Sequence, residues 1–79
     1  MIRASKKQLI LTFHTTAAAI ATEKLCKQAG ISGRLIPVPR SLTSDCGMAW
    51  CMEPDGRDAL QAVIAGKDID IAGFHELIL

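Results

Sequence analysis

Four apolar runs of strand length, at residues 8–13, 33–37, 48–52 and 69–79, alternate with two helix-patterned stretches in a chain of 79 residues. That order leaves few ways to bury one core. Gln8-Leu9-Ile10-Leu11-Thr12-Phe13 is compact, and Thr15 and Thr16 follow it with hydroxyls suited to capping a helix. At about 100° per residue, Ala17, Ala18, Ala21, Leu25 and Ala29 share one arc, while Glu23, Lys24, Lys27 and Gln28 fall largely outside it. Gly30 supplies the stop. Gly33 to Pro37 reads as a second strand, placed at a sheet edge by its proline, where a missing N–H costs no ladder bond. Met48-Ala49-Trp50-Cys51-Met52 alternates large and small side chains, as a strand with two differently packed faces does. Pro54 and Asp55 suit the first turn of a helix with Ala59, Leu60, Val63 and Ile64 on its face and Gly66 at its end. Ile69 to Leu79 is the fourth strand, with a bend at Gly73.

The β-α-β-β-α-β order predicts an α+β, ferredoxin-like sandwich over residues 1–79, with two helices on one face of a four-stranded antiparallel sheet. Right-handed crossovers direct the first two strands the same way, with the third inserted antiparallel between them. The loop joining the second and third strands is then expected where the first strand ends, beside His14, Thr15 and Thr16. So short a chain sits near the lower size for a core without disulfides or metal. Its composition is 49% hydrophobic, with Trp and Phe totalling three residues, so burial falls to Ala, Ile and Leu. The apolar excess on a small body makes a homodimer an expectation.

A net charge of +1 lacks the basic excess of phosphate-backbone binders, and the strands do not interleave basic and aromatic residues, so nucleic acid is not an expected partner. Leu9 to Phe13 is too short for a signal-peptide core or a bilayer span, so no membrane association is expected and the chain reads as cytoplasmic. Three cysteines without a close pairing pattern read as free thiols in that reducing setting. Cys and His at positions 14, 26, 46, 51 and 75 show no short paired-ligand spacing, so neither a metal nor a cofactor is expected.

The most chemically suggestive stretch runs from Ile36-Pro37-Val38-Pro39-Arg40 through Ser41-Leu42-Thr43-Ser44-Asp45 to Cys46-Gly47. Prolines fix φ, small polar residues favour turns, and Gly47 permits a turn or a close approach. A thiol carried on such a loop is a candidate nucleophile, with the thiolate as the attacking species. The opening turn of the first helix, protonated His14 and Arg40 would each lower a thiol pKa from about 8.5, and Asp45 would oppose them. The alternative is an ordinary cysteine in a turn. Arg40 suits an oxyanion or is a solvated loop charge. Ser44, with Ser41 and Thr43, lines an anion-binding turn or simply forms one. His14 shares a proton with Cys46 or closes a strand at the surface. Cys51, opposite in parity to Trp50 and alongside Ala49, reads as core; the alternative, a resolving partner for Cys46, requires the loop to fold back, because five residues of extended chain exceed disulfide reach. Cys26 reads as a buried small hydrophobe, His75 as a structural histidine and Glu23 as an exposed helix charge.

On Phe13 followed by Thr15-Thr16, on Glu23-Lys24-Leu25, and above all on Ile36-Pro37-x-Pro39-Arg40 leading through Ser44 to Cys46-Gly47, the chain resembles the selenium/sulfur carrier-like family of small bacterial domains. The likeness covers nearly the whole chain. It implies a ferredoxin-like carrier whose Cys-Gly cysteine, here Cys46, holds sulfur or selenium as a persulfide or perselenide. Pro39, Arg40 and Gly47 match the surrounding motif, whereas Cys26 and Cys51 have no place in it. The expected function is therefore at most sulfurtransferase-like: a donor protein loads Cys46 and an acceptor protein collects the atom. Docking is expected around Pro39, Arg40 and the apolar surface near Trp50. The competing reading is a non-catalytic ligand-binding or interaction module whose loop holds an anion or peptide.

Overall fold

A computed structural model describes residues 6–42 and 47–78. Its elements are β1 (Lys7–Phe13), α1 (Thr16–Ala29), β2 (Arg34–Pro37), β3 (Met48–Met52), α2 (Arg57–Ile64) and β4 (Ile71–Ile78), with a 3-10 turn over Pro54–Gly56 before α2. The sheet runs β2-β3-β1-β4, and all three neighbouring pairs are antiparallel. Thus β3 lies between β1 and β2, while β1 lies between β3 and β4, as two interlocked split β-α-β units require. The arrangement is a loose, abbreviated ferredoxin-like one, with four residues in β2 and eight in α2. Pro37 closes β2 at the sheet edge, where its missing donor is tolerated.

The period-two alternation of the strands divides two apolar clusters between the faces of the sheet. Leu9, Leu11, Phe13, Trp50 and Met52 pack with Ala18, Ala19 and Cys26 of α1 and Leu60 of α2, so both helices cover this one face. The intervening Ile10, Ala49 and Cys51 form a second buried cluster on the other face. Gly33 is dictated by the first cluster, because a Cβ there would overlap the Trp50 indole and lie 2.9 Å from the Cys51 carbonyl oxygen.

Helix α1 starts where the Thr15 hydroxyl accepts the Ala18 N–H at 3.1 Å, a side-chain N-cap. It ends in a Schellman turn: Gly30 has φ 75°, its N–H bonds the Lys27 carbonyl, and the Ile31 N–H bonds that of Cys26 at 2.8 Å. The buried stripe is rotated from the arc that apolarity alone suggests. Ala18, Ala19, Thr22 and Cys26 are buried, Ala21 and Leu25 are half-buried, and Ala17 and Ala29 are exposed. The face turned to the sheet carries small side chains, with Leu25 at its margin. Thr22 is tolerated there because its hydroxyl donates to the Ala18 carbonyl at 3.0 Å.

Pro54 and Asp55 lie in the 3-10 turn, so α2 begins later than the sequence pattern implies. On α2 only Leu60 is fully buried; Val63 and Ile64 are half-buried and Ala59 is exposed. The Arg57 guanidinium sits 5.2 Å from the Phe74 ring centre, tying the start of α2 to β4. β4 pairs Gly73 with Thr12 and Ile71 with Phe13, leaving Ala72 as an extra residue. The irregularity foreseen at Gly73 is this bulge.

Candidate functional site

Antiparallel register decides what meets at each end of the sheet. Thr12 faces Ala49, and Pro37 faces Met48. The end of β1, the end of β2 and the start of β3 therefore share one edge, with His14 and Gly47 each two residues beyond the Thr12–Ala49 pair. This is the end at which α1 begins.

The β2–β3 connection leaves that edge through a closed neck, where the Val38 N–H donates to the Gly47 carbonyl at 3.0 Å. A turn follows: the Leu42 N–H donates to the Pro39 carbonyl at 2.9 Å, with Arg40 and Ser41 exposed between them. Gly47 has φ 75° and nothing within 4 Å of a Cβ position, so backbone conformation rather than crowding calls for glycine. Leu42 packs back against Ile10, Ala49 and Cys51 on the helix-free face. Of the residues singled out from the sequence, Pro39, Arg40, Gly47, His14 and Thr15 fall at or beside this edge. Cys46 and Ser44 lie outside the described residues.

His14 is exposed, and its Nε2 is 4.0 Å from an Asp70 carboxylate oxygen, a solvated pair of small energetic weight. Thr15 spends its hydroxyl oxygen on the α1 cap. Neither contact uses Arg40, whose guanidinium side chain is exposed on the turn.

Cys26 and Cys51 are free, buried thiols. Burial raises the Cys26 pKa above its ordinary 9.0, keeping it protonated near neutrality. Cys51 is likewise raised by burial, with the Arg34 charge on the paired strand position pulling partly against it. Its Sγ donates to Gln8 Oε1 at 3.5 Å. Both thiols are held in the form that neither attacks nor ligates well, as the core reading of each requires.

The apolar docking surface expected near Trp50 is absent from the described residues, because Trp50 is 1% exposed beneath the helices. Its Nε1 is buried without a hydrogen-bond partner among the described residues. Among the described residues, the large apolar side chains classed as exposed are Ile20 and Ile78. Sequence reasoning missed Leu42; the available signal was one aliphatic residue inside an otherwise polar turn. Among the described residues no group of three or more His, Cys, Asp or Glu side chains could hold a metal ion. No described helix is long and apolar enough to cross a membrane.

Comparison with known proteins adds two matches. The family model described as "Putative Se/S carrier protein-like" matches residues 8–76. The uncharacterized protein YtiA of Escherichia coli (strain K12) is 36% identical over 61 residues, covering 76% of this chain and 71% of that protein. No solved structure matches.

Proposed function

The chain belongs to the Se/S carrier protein-like family, and from that membership we propose that it carries sulfur or selenium on Cys46 and passes the atom between a donor and an acceptor protein. The observation that supports this reading best is the neck of the β2–β3 loop. Val38 and Gly47 are hydrogen-bonded at the sheet edge where α1 opens, so the segment bearing Cys46 leaves from and returns to that edge.

Transfer needs no redox partner. The Cys46 thiolate attacks the terminal sulfur of a donor persulfide, a new S–S bond forms at Cys46, the donor's S–S bond breaks, and the donor cysteine departs as a thiolate. The terminal sulfur keeps its proton throughout. Repeating the exchange with an acceptor thiolate returns Cys46 to its starting form, and a selenium atom follows the same course. The exposed Arg40 offers a docking charge to an anionic partner surface, with Pro39 and Gly47 shaping the loop around it. His14 and Thr15 stand at the same edge, and Ser44 belongs to the loop by sequence. Free thiols and a persulfide cargo fit the reducing cytoplasm.

A cysteine desulfurase supplied with cysteine tests the proposal. Wild-type protein is expected to take sulfur and yield it to an acceptor thiol, and Cys46→Ser to do neither. A Cys46→Ser variant that keeps its partner and every measurable activity would favour the binding-module reading instead.

A further inference from the structure

The two edges of the sheet are unlike. β2 closes one side with four residues and ends at Pro37, which has no N–H to offer a further strand. β4 closes the other side with eight residues and contains neither proline nor lysine, the residues that commonly blunt an exposed edge. Among the described residues β4 pairs with β1 alone, which leaves one side of its backbone without a strand. Ile78, at its end, is 62% exposed, and Ala72 is exposed as well.

We infer that β4 is a self-association edge, at which a second copy of this chain pairs antiparallel about a two-fold axis and continues the four-stranded sheet through the contact. Such an axis keeps every residue on its own face of the sheet, so charge can choose the register. Phe74 and Glu76 stand opposite Leu11 and Leu9, on the helix-covered face, and the Arg57 guanidinium lies 5.2 Å from the Phe74 ring centre. Centring the axis on Phe74 would bring two Arg57 guanidiniums together, and centring it on Glu76 would oppose two carboxylates. Centred on His75, the pairing sets Glu76 beside the partner's Phe74 and toward the partner's Arg57, twice by symmetry. It also carries Ile78 to the partner's Ala72 and Leu77 to the partner's Gly73. Within one chain Glu76 is 3.8 Å from the Lys7 Nζ, an exposed pair of small weight, so its carboxylate is available to Arg57 across the contact. β2 remains outermost in each copy, and the inference is independent of what the β2–β3 loop does.

Sedimentation velocity over a concentration series compares wild type, Glu76→Arg, Arg57→Glu and the variant carrying both exchanges. An edge contact of this kind is smaller than a standard interface, so a dimer that dissociates on dilution is expected. Each single reversal should weaken it about tenfold, and the double exchange should restore most of the loss, which a merely structural role for either residue does not predict. Oxidation of His75→Cys with copper-phenanthroline, the disulfides being mapped by mass, reads the register. Position 75 should bridge to position 75 of the second copy, whereas Ala72→Cys and Ile78→Cys should not bridge to themselves. Native Trp50 fluorescence identifies the folded variants, and if a charge variant unfolds the cross-link alone decides. A wild type that stays monomeric at every concentration would overturn the inference. So would a dimer that neither reversal weakens, or one that bridges at position 72 or 78 in place of 75.

Discussion

The Val38 N–H and the Gly47 carbonyl meet at 3.0 Å, joining two residues nine positions apart at the foot of the loop that carries Cys46. Gly47 makes this contact with φ 75°, a conformation that side chains with a Cβ adopt at a cost. Gly47→Ala should therefore lower stability by about 1 kcal/mol through backbone strain, since open space surrounds the position. Urea unfolding measures the loss; an unchanged midpoint would mean that the neck does not depend on this conformation.

Replacing Gly33 acts by crowding. A methyl group there overlaps the Trp50 indole, which is buried and has little room to give. Gly33→Ala should cost about 1–3 kcal/mol and alter the Trp50 fluorescence of the native state. A variant with native fluorescence and native stability would show that β2 can shift away from β3 without penalty.

Thr15→Ala removes the acceptor for the Ala18 N–H and should cost about 1 kcal/mol, with Thr15→Ser close to wild type. Sulfur loading of the fully folded Thr15→Ala protein separates a capping role from a chemical one. Loading that persists assigns Thr15 to the cap alone. Loading lost in a folded variant gives the hydroxyl a part in the chemistry.

The two buried thiols predict a pH dependence. Burial raises both above the ordinary value of 9.0. Below that value folded and unfolded chains both hold the protons, and their contribution to stability is constant. As pH rises past it, the unfolded thiols ionise while the folded ones remain protonated, so the unfolded state binds fewer protons and stability falls. Unfolding midpoints measured on both sides of that value should show the decline, and a Cys26→Ala, Cys51→Ala double variant should show less of it. An equal decline in the double variant would assign the slope to other groups.

Much of the fold was legible because it depends on patterns that survive without tertiary knowledge. Alternation in β3 put Cys51 and Trp50 on opposite faces, Pro37 marked an edge strand, and Gly30 marked the end of α1. What the pattern misread was decided by tertiary packing. The stripe of α1 settled on Ala18, Ala19, Thr22 and Cys26, small side chains that a ranking by hydrophobicity does not pick out. Trp50 looked like an available surface because a single strand cannot reveal that two helices lie over it. At the candidate site, the residue types around the loop were readable from turn chemistry. The packing of Leu42 was not, because it depends on a cluster assembled from β1 and β3.

The most direct measurement is peptide-mapped intact mass of the protein purified without reductant and then exposed to a desulfurase with cysteine. One added chalcogen atom on the peptide bearing Cys46, removed by a thiol reductant and missing from Cys46→Ser, is the predicted result. An unmodified Cys46, or adducts confined to Cys26 or Cys51, would contradict the account.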